Sequence, residues 1–163
     1  MKSKRLSENI LKTVKSRGYK YIELDAVIGA DQIIQRSGEN FRQYMFSFQD
    51  PNGNEMCLRP DLTIVSCLRY LKNKSKAKEK IFYSGQAFRK VEEHGGQIIR
   101  NQIGYEIIGS RNIKQDDNEI IQTSIKTIKK IKKTKLKIEI GNIKLFNLLL
   151  NKLKLPKRWK LRL

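Results

Sequence analysis

Residues 99–107 read Ile-Arg-Asn-Gln-Ile-Gly-Tyr-Glu-Ile. On a β-strand, successive side chains point to opposite faces. Ile99, Ile103, Tyr105 and Ile107 then form an apolar face, and Arg100, Gln102, Gly104 and Glu106 a polar one. The polar face carries three hydrogen-bonding side chains around a glycine, whose missing Cβ would let a ligand approach the backbone. Gln102 and Glu106 would lie roughly 13 Å apart at strand rise, a spacing that suits two groups lining a pocket floor. A sheet with one face in water would show the same alternation.

Other reactive types lead nowhere comparable. Cys57 and Cys67 have neither metal-site nor redox-motif spacing, and His94 is the sole histidine, so no metal site is expected. Neither thiol has a base in sight, because His94 sits in a Gly-flanked loop; both read as small apolar fillers of a reduced, cytoplasmic protein. Glu92 and Glu93 read as a solvated loop face, and Trp159 as a packing residue.

The elements that would position the polar face can be taken in chain order. Leu6, Ile10, Leu11 and Val14 recur at helical spacing before Gly18, predicting an N-terminal helix. Residues 19–28 alternate like a strand, and 29–42 read as loop with short helical turns. Two strands, 44–49 and 55–59, flank the turn Asp50-Pro51-Asn52-Gly53-Asn54. Pro60 and Asp61 open a helix reaching about Leu71, with the carboxylate at the end the helix dipole favours. Two long strands with a short polar, Gly-rich loop between them then span Phe82 to Gly109. A helix from Asp116 carries the stripe Ile121, Ile125, Ile128, Ile131. Leu136–Ile140 reads as a strand, and Gly141-Asn142 as the start of a helix with Leu145, Leu148, Leu149 and Leu153 inside until Pro156. The pattern is α+β, an antiparallel sheet flanked by helices, in one domain over residues 1–163.

The 163 residues hold 35 Lys and Arg against 16 Asp and Glu, a net charge of +19. Such a charge invites a nucleic-acid partner. The lysines are spread along the whole chain, however, and the densest run, residues 72–80, has no aromatic residue to stack on bases. A solvated surface accounts for it. No apolar run is long enough to span a membrane.

Arg59-Pro60-Asp61-Leu62-Thr63, Phe88-Arg89 and Gln102-Ile103-Gly104-Tyr105-Glu106-Ile107-Ile108-Gly109, in this order and spacing, resemble the catalytic core of histidyl-tRNA synthetases. The late stretch Glu139 to Phe146 extends the likeness over essentially the whole chain. Within that superfamily the chain looks most like the regulatory subunits of ATP phosphoribosyltransferase, synthetase paralogues of histidine biosynthesis. The resemblance implies a class II synthetase-like fold whose C-terminal part lies beyond residue 163. It implies that Asp61 takes the α-amino group of histidine with help from Thr63, and that Gln102 and Glu106 contact the amino acid from the sheet floor. Arg89 would be the motif 2 arginine, a planar fork suited to phosphate and carboxylate.

The departures from the synthetase pattern point one way. Asp61 stands where synthetases typically carry Glu. Arg100 stands where they carry the Phe that stacks on adenine. Glu92-Glu93-His94-Gly95-Gly96 replaces an arginine-rich loop, and its carboxylates would repel a triphosphate. The motif 1 proline is absent from residues 24–27, and nothing matches motif 3 or the histidine-specific signature. The expectation is therefore a non-catalytic subunit with an amino-acid pocket for L-histidine and no cofactor. It would regulate a catalytic phosphoribosyltransferase partner in a hetero-oligomer, with no membrane and no tRNA. The alternative is a synthetase core or fragment.

Overall fold

The computed structural model describes residues 2–73, 77–90, 96–131, 135–153 and 158. Part of the lysine run, Glu92, Glu93, His94, Pro156 and Trp159 lie outside the described residues. Contacts group the chain into two units, residues 1–133 and 134–163.

The first unit is built on β5 (Glu79–Phe88) and β6 (Ile99–Ile108), which pair antiparallel along their full length. A short β1 (Lys20–Tyr21) adds to β5 in parallel. The register sets Ile81 opposite Glu106, Tyr83 opposite Gly104, Gly85 opposite Gln102 and Ala87 opposite Arg100. Directly opposed residues share a face, so Arg100, Gln102 and Glu106 lie on the same side as Ile81, Tyr83 and Ala87. Leu62 from helix α3 (Leu62–Lys72) buries itself against that side with Ile22. On the other side Phe82, Tyr105 and Ile107 pack against Val14, Ile10 and Leu11 of helix α1 (Lys2–Lys15) and Ile120 of helix α4 (Ile113–Ile131). Tyr19 meets Tyr105 edge to face at 5.6 Å, the arrangement ring quadrupoles prefer. Both faces of the sheet therefore carry helices, and the polar side is half-buried at Gln102, Gly104 and Glu106 while Arg100 is exposed.

A second sheet, ordered β2 (Val27–Gly29), β4 (Glu55–Leu58), β3 (Ser47–Gln49), holds the predicted hairpin. Its turn is fixed by Asp50, whose Oδ1 accepts from the backbone N–H of Asn52 and Asn54, and by Gly53 at φ 81°. Helix α2 (Ala30–Ser37) and a 3-10 turn at Glu39–Tyr44 close over it, somewhat more helix than the sequence pattern suggested. Ile28, Ala30, Ile33, Met45, Cys57 and Val65 form the core there.

Arg59 ties the two sheets together. It is 8% exposed. Its Nε donates to Gln86 O at 2.8 Å, and its Nη1 donates to Leu24 O and to Asp25 O. Burial pulls its pKa below the ordinary guanidinium value. This contact also corrects the strand expected over residues 19–28. The carbonyls of Leu24 and Asp25 are turned to the guanidinium, so pairing stops at Tyr21 and resumes at Val27.

Helix α4 needs a second correction. It starts at Ile113, and its buried side runs through Asp116, Thr123 and Thr127, while Ile121 and Ile128 are exposed. Polar partners decide the rotation. Thr123 Oγ1 accepts from Arg17 Nε at 2.7 Å, Asp116 pairs with Lys78 at 2.6 Å, and Glu119 pairs with Lys80.

In the second unit, residues 135–140 form no strand, because no described strand pairs with them. Helix α5 (Ile143–Lys152) begins as predicted, with Asn142 Oδ1 accepting from Lys144 N and Leu145 N. Leu145, Leu148, Leu149 and Leu153, expected on an inner face, are all more than half exposed.

Arg59→Leu should strand three backbone carbonyls at the junction of the sheets. Urea unfolding should show a loss of about 3 kcal/mol; an unchanged midpoint would mean that the guanidinium does not join them.

Candidate functional site

The candidate site forms where helix α3 begins on the polar side of the β5–β6 sheet. Asp61 is extended, at φ −159° and ψ 148°, and its Oδ1 accepts from Ile64 N at 3.0 Å. It is the N-cap, satisfying one of the N–H groups that the first helical turn leaves without an internal partner. The sheet satisfies another: Gln102 Oε1 accepts from Leu62 N at 3.3 Å. Leu62 itself, 1% exposed, anchors the turn. The start of the helix is thus held by its own cap from one side and by the sheet floor from the other.

A third link runs through Tyr83, a residue the sequence reading did not single out. Its hydroxyl donates to Glu106 Oε1 at 2.8 Å and lies 3.0 Å from Thr63 Oγ1. A phenol has one proton, so with that proton on Glu106 the Thr63 hydroxyl is the donor to Tyr83. The chain of bonds is directional, from helix to tyrosine to carboxylate. Tyr83 is 1% exposed, and burial, with Glu106 nearby, holds its pKa above the ordinary phenol value. It therefore stays a neutral donor.

Gly104 has a different purpose from the one its place in the pattern suggested. A Cβ there would fall 2.4 Å from the Tyr83 ring and hydroxyl. The space over the glycine is filled by the opposing ring, not left for a ligand. An aromatic residue directly across a strand pair from a glycine was the available signal for Tyr83, readable once the hairpin register is counted.

Beside this contact lies a cleft of about 410 Å³, lined by Asp61, Arg89, Arg100 and Gln102 with Pro60, Ala87, Asn101 and Ile103. Arg89 Nε donates to Pro60 O at 2.8 Å, and its guanidinium lies over the Phe41 ring, 5.5 Å from the centroid. Of the five residues expected to bind an amino acid, Asp61, Arg89 and Gln102 line one cavity. Thr63 and Glu106 are joined to each other through Tyr83 next to it. A carboxylate and a guanidinium in one concavity can hold the two ends of a zwitterion. Burial, the largest effect, pushes the Cys57 thiol up to about 11 and raises Cys67 as well, the reverse of an activated thiolate.

Two substitutions separate the packing from the bonding. Tyr83→Phe keeps the ring over Gly104 and should cost about 1–2 kcal/mol in denaturant unfolding, through the lost hydroxyl contacts. Gly104→Ala should cost up to about 3 kcal/mol, because the ring must move. Equal, negligible costs would show that the ring does not sit there.

A family model described as histidyl-tRNA synthetase matches residues 1–163. Curated relatives include an ATP phosphoribosyltransferase regulatory subunit of Mesorhizobium japonicum, 27% identical over 97% of this chain and 42% of that protein. They also include a histidine–tRNA ligase of Sulfurisphaera tokodaii, 33% identical over 93% of this chain and 36% of the ligase. The chain thus spans about two-fifths of the length of the curated relatives it matches. Among solved structures, a Bacillus halodurans protein described as an ATP phosphoribosyltransferase regulatory subunit/histidyl-tRNA synthetase superposes with a TM-score of 0.67 at 22% identity, over 78% of this chain and 33% of that one. The apo histidyl-tRNA synthetase of S. aureus gives 0.62 at 20% identity, over 79% and 30%. The fold is that of a histidyl-tRNA synthetase-like class II core.

Proposed function

The chain belongs to the histidyl-tRNA synthetase family, and from that membership we propose that it is the amino-acid-binding portion of a non-catalytic regulatory subunit of ATP phosphoribosyltransferase. Its ligand would be L-histidine, and its partner the catalytic subunit of that enzyme in a hetero-oligomer. The observation that carries this reading is the meeting of Asp61, Arg89 and Gln102 in one cleft; the resemblance adds Arg100 at the position where synthetases carry the Phe that stacks on adenine. An ammonium taken out of water needs an anionic acceptor, which Asp61 supplies, and Arg89 is placed to take a carboxylate. Thr63 and Glu106, held by Tyr83, keep the helix start and the sheet floor at a fixed separation. Relatives named as regulatory subunits support the same reading. Regulation would follow if the partner's active and inactive states hold histidine with different affinities.

The alternative is the core of a histidyl-tRNA synthetase, favoured by the higher identity to the ligase relative. Calorimetry separates the two. L-histidine should bind the wild type and lose about tenfold or more in affinity in Asp61→Ala, a charge-assisted contact being worth that much. ATP should bind no better than inorganic triphosphate, because the resemblance leaves this chain without the Phe that stacks on adenine in synthetases. Adenine-dependent binding of ATP without binding of histidine would overturn the regulatory reading in favour of the synthetase.

A further inference from the structure

A second hollow, of about 150 Å³, lies beside the end of helix α3 and shares no lining residue with the cleft at its start. Its floor is apolar: Ile28 and Val65 are buried, and Leu24 and Leu68 are half-buried beside them. Its rim is charged and exposed. Glu23 and Asp25 come from the connector between β1 and β2, and Arg69 and Lys72 from the last turn of α3. A helix dipole favours cations at that end whatever else is present. It gives no reason for two carboxylates on the same hollow.

Among the described residues neither of these carboxylates forms an ion pair with either cation. Residues 74–76, outside the described ones, are Lys, Ser and Lys and bring no acid. The two walls are instead held from behind. Arg59 Nη1 donates to Leu24 O and to Asp25 O, and Leu24 packs against both neighbouring core clusters. On the other wall, Arg69 Nη1 and Asn73 Nδ2 each donate to the Glu79 carboxylate at 3.1 Å. Unlike charges therefore line one hollow without closing on each other, over a floor that water wets poorly.

We propose that this hollow is a second ligand site, for a small aliphatic α-amino acid such as L-leucine. An α-amino acid carries both charges on one carbon. Its ammonium can meet Glu23 and Asp25 while its carboxylate meets Arg69 and Lys72, and the side chain then enters the floor. An apolar cavity of about 150 Å³ takes a molecule the size of benzene, which is the bulk of a leucine or valine side chain and less than that of an indole. The site uses none of the residues assigned to L-histidine, so it stands apart from that reading.

Calorimetry on the full chain uses L-leucine, glycine, isopentylamine and 4-methylpentanoate as separate probes. L-leucine should bind at least about tenfold more tightly than glycine, which lacks the side chain. It should bind about threefold or more above isopentylamine and 4-methylpentanoate, which each lack one charge. Asp25→Asn combined with Lys72→Gln should weaken L-leucine about tenfold, and Leu68→Trp, which fills the hollow, by more than that. Lys114→Gln, at an exposed cation of α4, and Asp61→Ala, in the other cleft, should each leave it within about twofold. Absence of L-leucine binding would overturn the site. So would either one-charged analogue binding as tightly as L-leucine, the behaviour of an apolar hole that takes any partner side chain. Loss in Asp61→Ala without loss in the Asp25 and Lys72 variant would place the ligand in the first cleft and overturn the proposal too. Urea unfolding shows whether Leu68→Trp is folded, and the exposed Asp25 and Lys72 pair decides the matter if it is not. Failure of L-histidine to bind would count against the regulatory reading alone, so the two failures stay distinct.

Discussion

The hydroxyl of Tyr83 stands between helix α3 and strand β6, 3.0 Å from Thr63 and 2.8 Å from Glu106. The geometry of the candidate site depends on that bridge. Thr63 sits in the first turn of the helix that Asp61 caps, and Glu106 sits on the strand that carries Gln102. Fixing the first pair therefore fixes the second, and Gln102 completes the contact by accepting from Leu62 N. The ring that carries the hydroxyl fits only because the residue opposite it is glycine. Three requirements on sequence follow from one contact: an aromatic hydroxyl on β5, no side chain across from it, and a hydroxyl donor on α3 with a carboxylate acceptor on β6.

Charge is handled differently inside and outside the cleft. Along the flanks of the sheet, cations are paired or turned to backbone. Lys78 and Lys80 reach Asp116 and Glu119 on α4, Lys80 also donates to Arg17 O, and Arg59 spends its charge on carbonyls. These contacts position elements. In the cleft, Arg89 rests on a carbonyl and over the Phe41 ring, and Arg100 rests on a carbonyl. A chain with a net charge of +19 has many exposed lysines that bear on solubility more than recognition. What distinguishes the cleft is its lining: two arginines, one carboxylate and two amide residues around a common hollow.

Much of this was legible in the residues. Period-two alternation places Gln102 and Glu106 on one face, and the Asp-Pro-Asn-Gly turn gives the hairpin. Asp61 ahead of an apolar helical pattern gives the cap, since each of these signals is local. What was not legible depends on partners distant in sequence. Residues 19–28 alternate like a strand, yet Arg59 takes the carbonyls of Leu24 and Asp25 from the ladder. On α4 two stripes fit helical spacing equally well. The one with threonines is buried, where Arg17 seats Thr123 and Lys78 seats Asp116. Ile121 and Ile128 read as core only while those partners are unknown. Residues 136–140 have strand-like side chains and no described strand to pair with. Tyr83 escaped for a related reason: its significance lies in the register across the hairpin, which places it over Gly104.

Whether Tyr83 truly joins the helix to the sheet can be measured by a double-mutant cycle of Tyr83→Phe with Glu106→Ala, read by equilibrium unfolding. If the hydroxyl and the carboxylate are bonded, the two losses will be non-additive, with a coupling energy on the order of 1 kcal/mol. Strict additivity would contradict the bridge, and with it the site that rests on it.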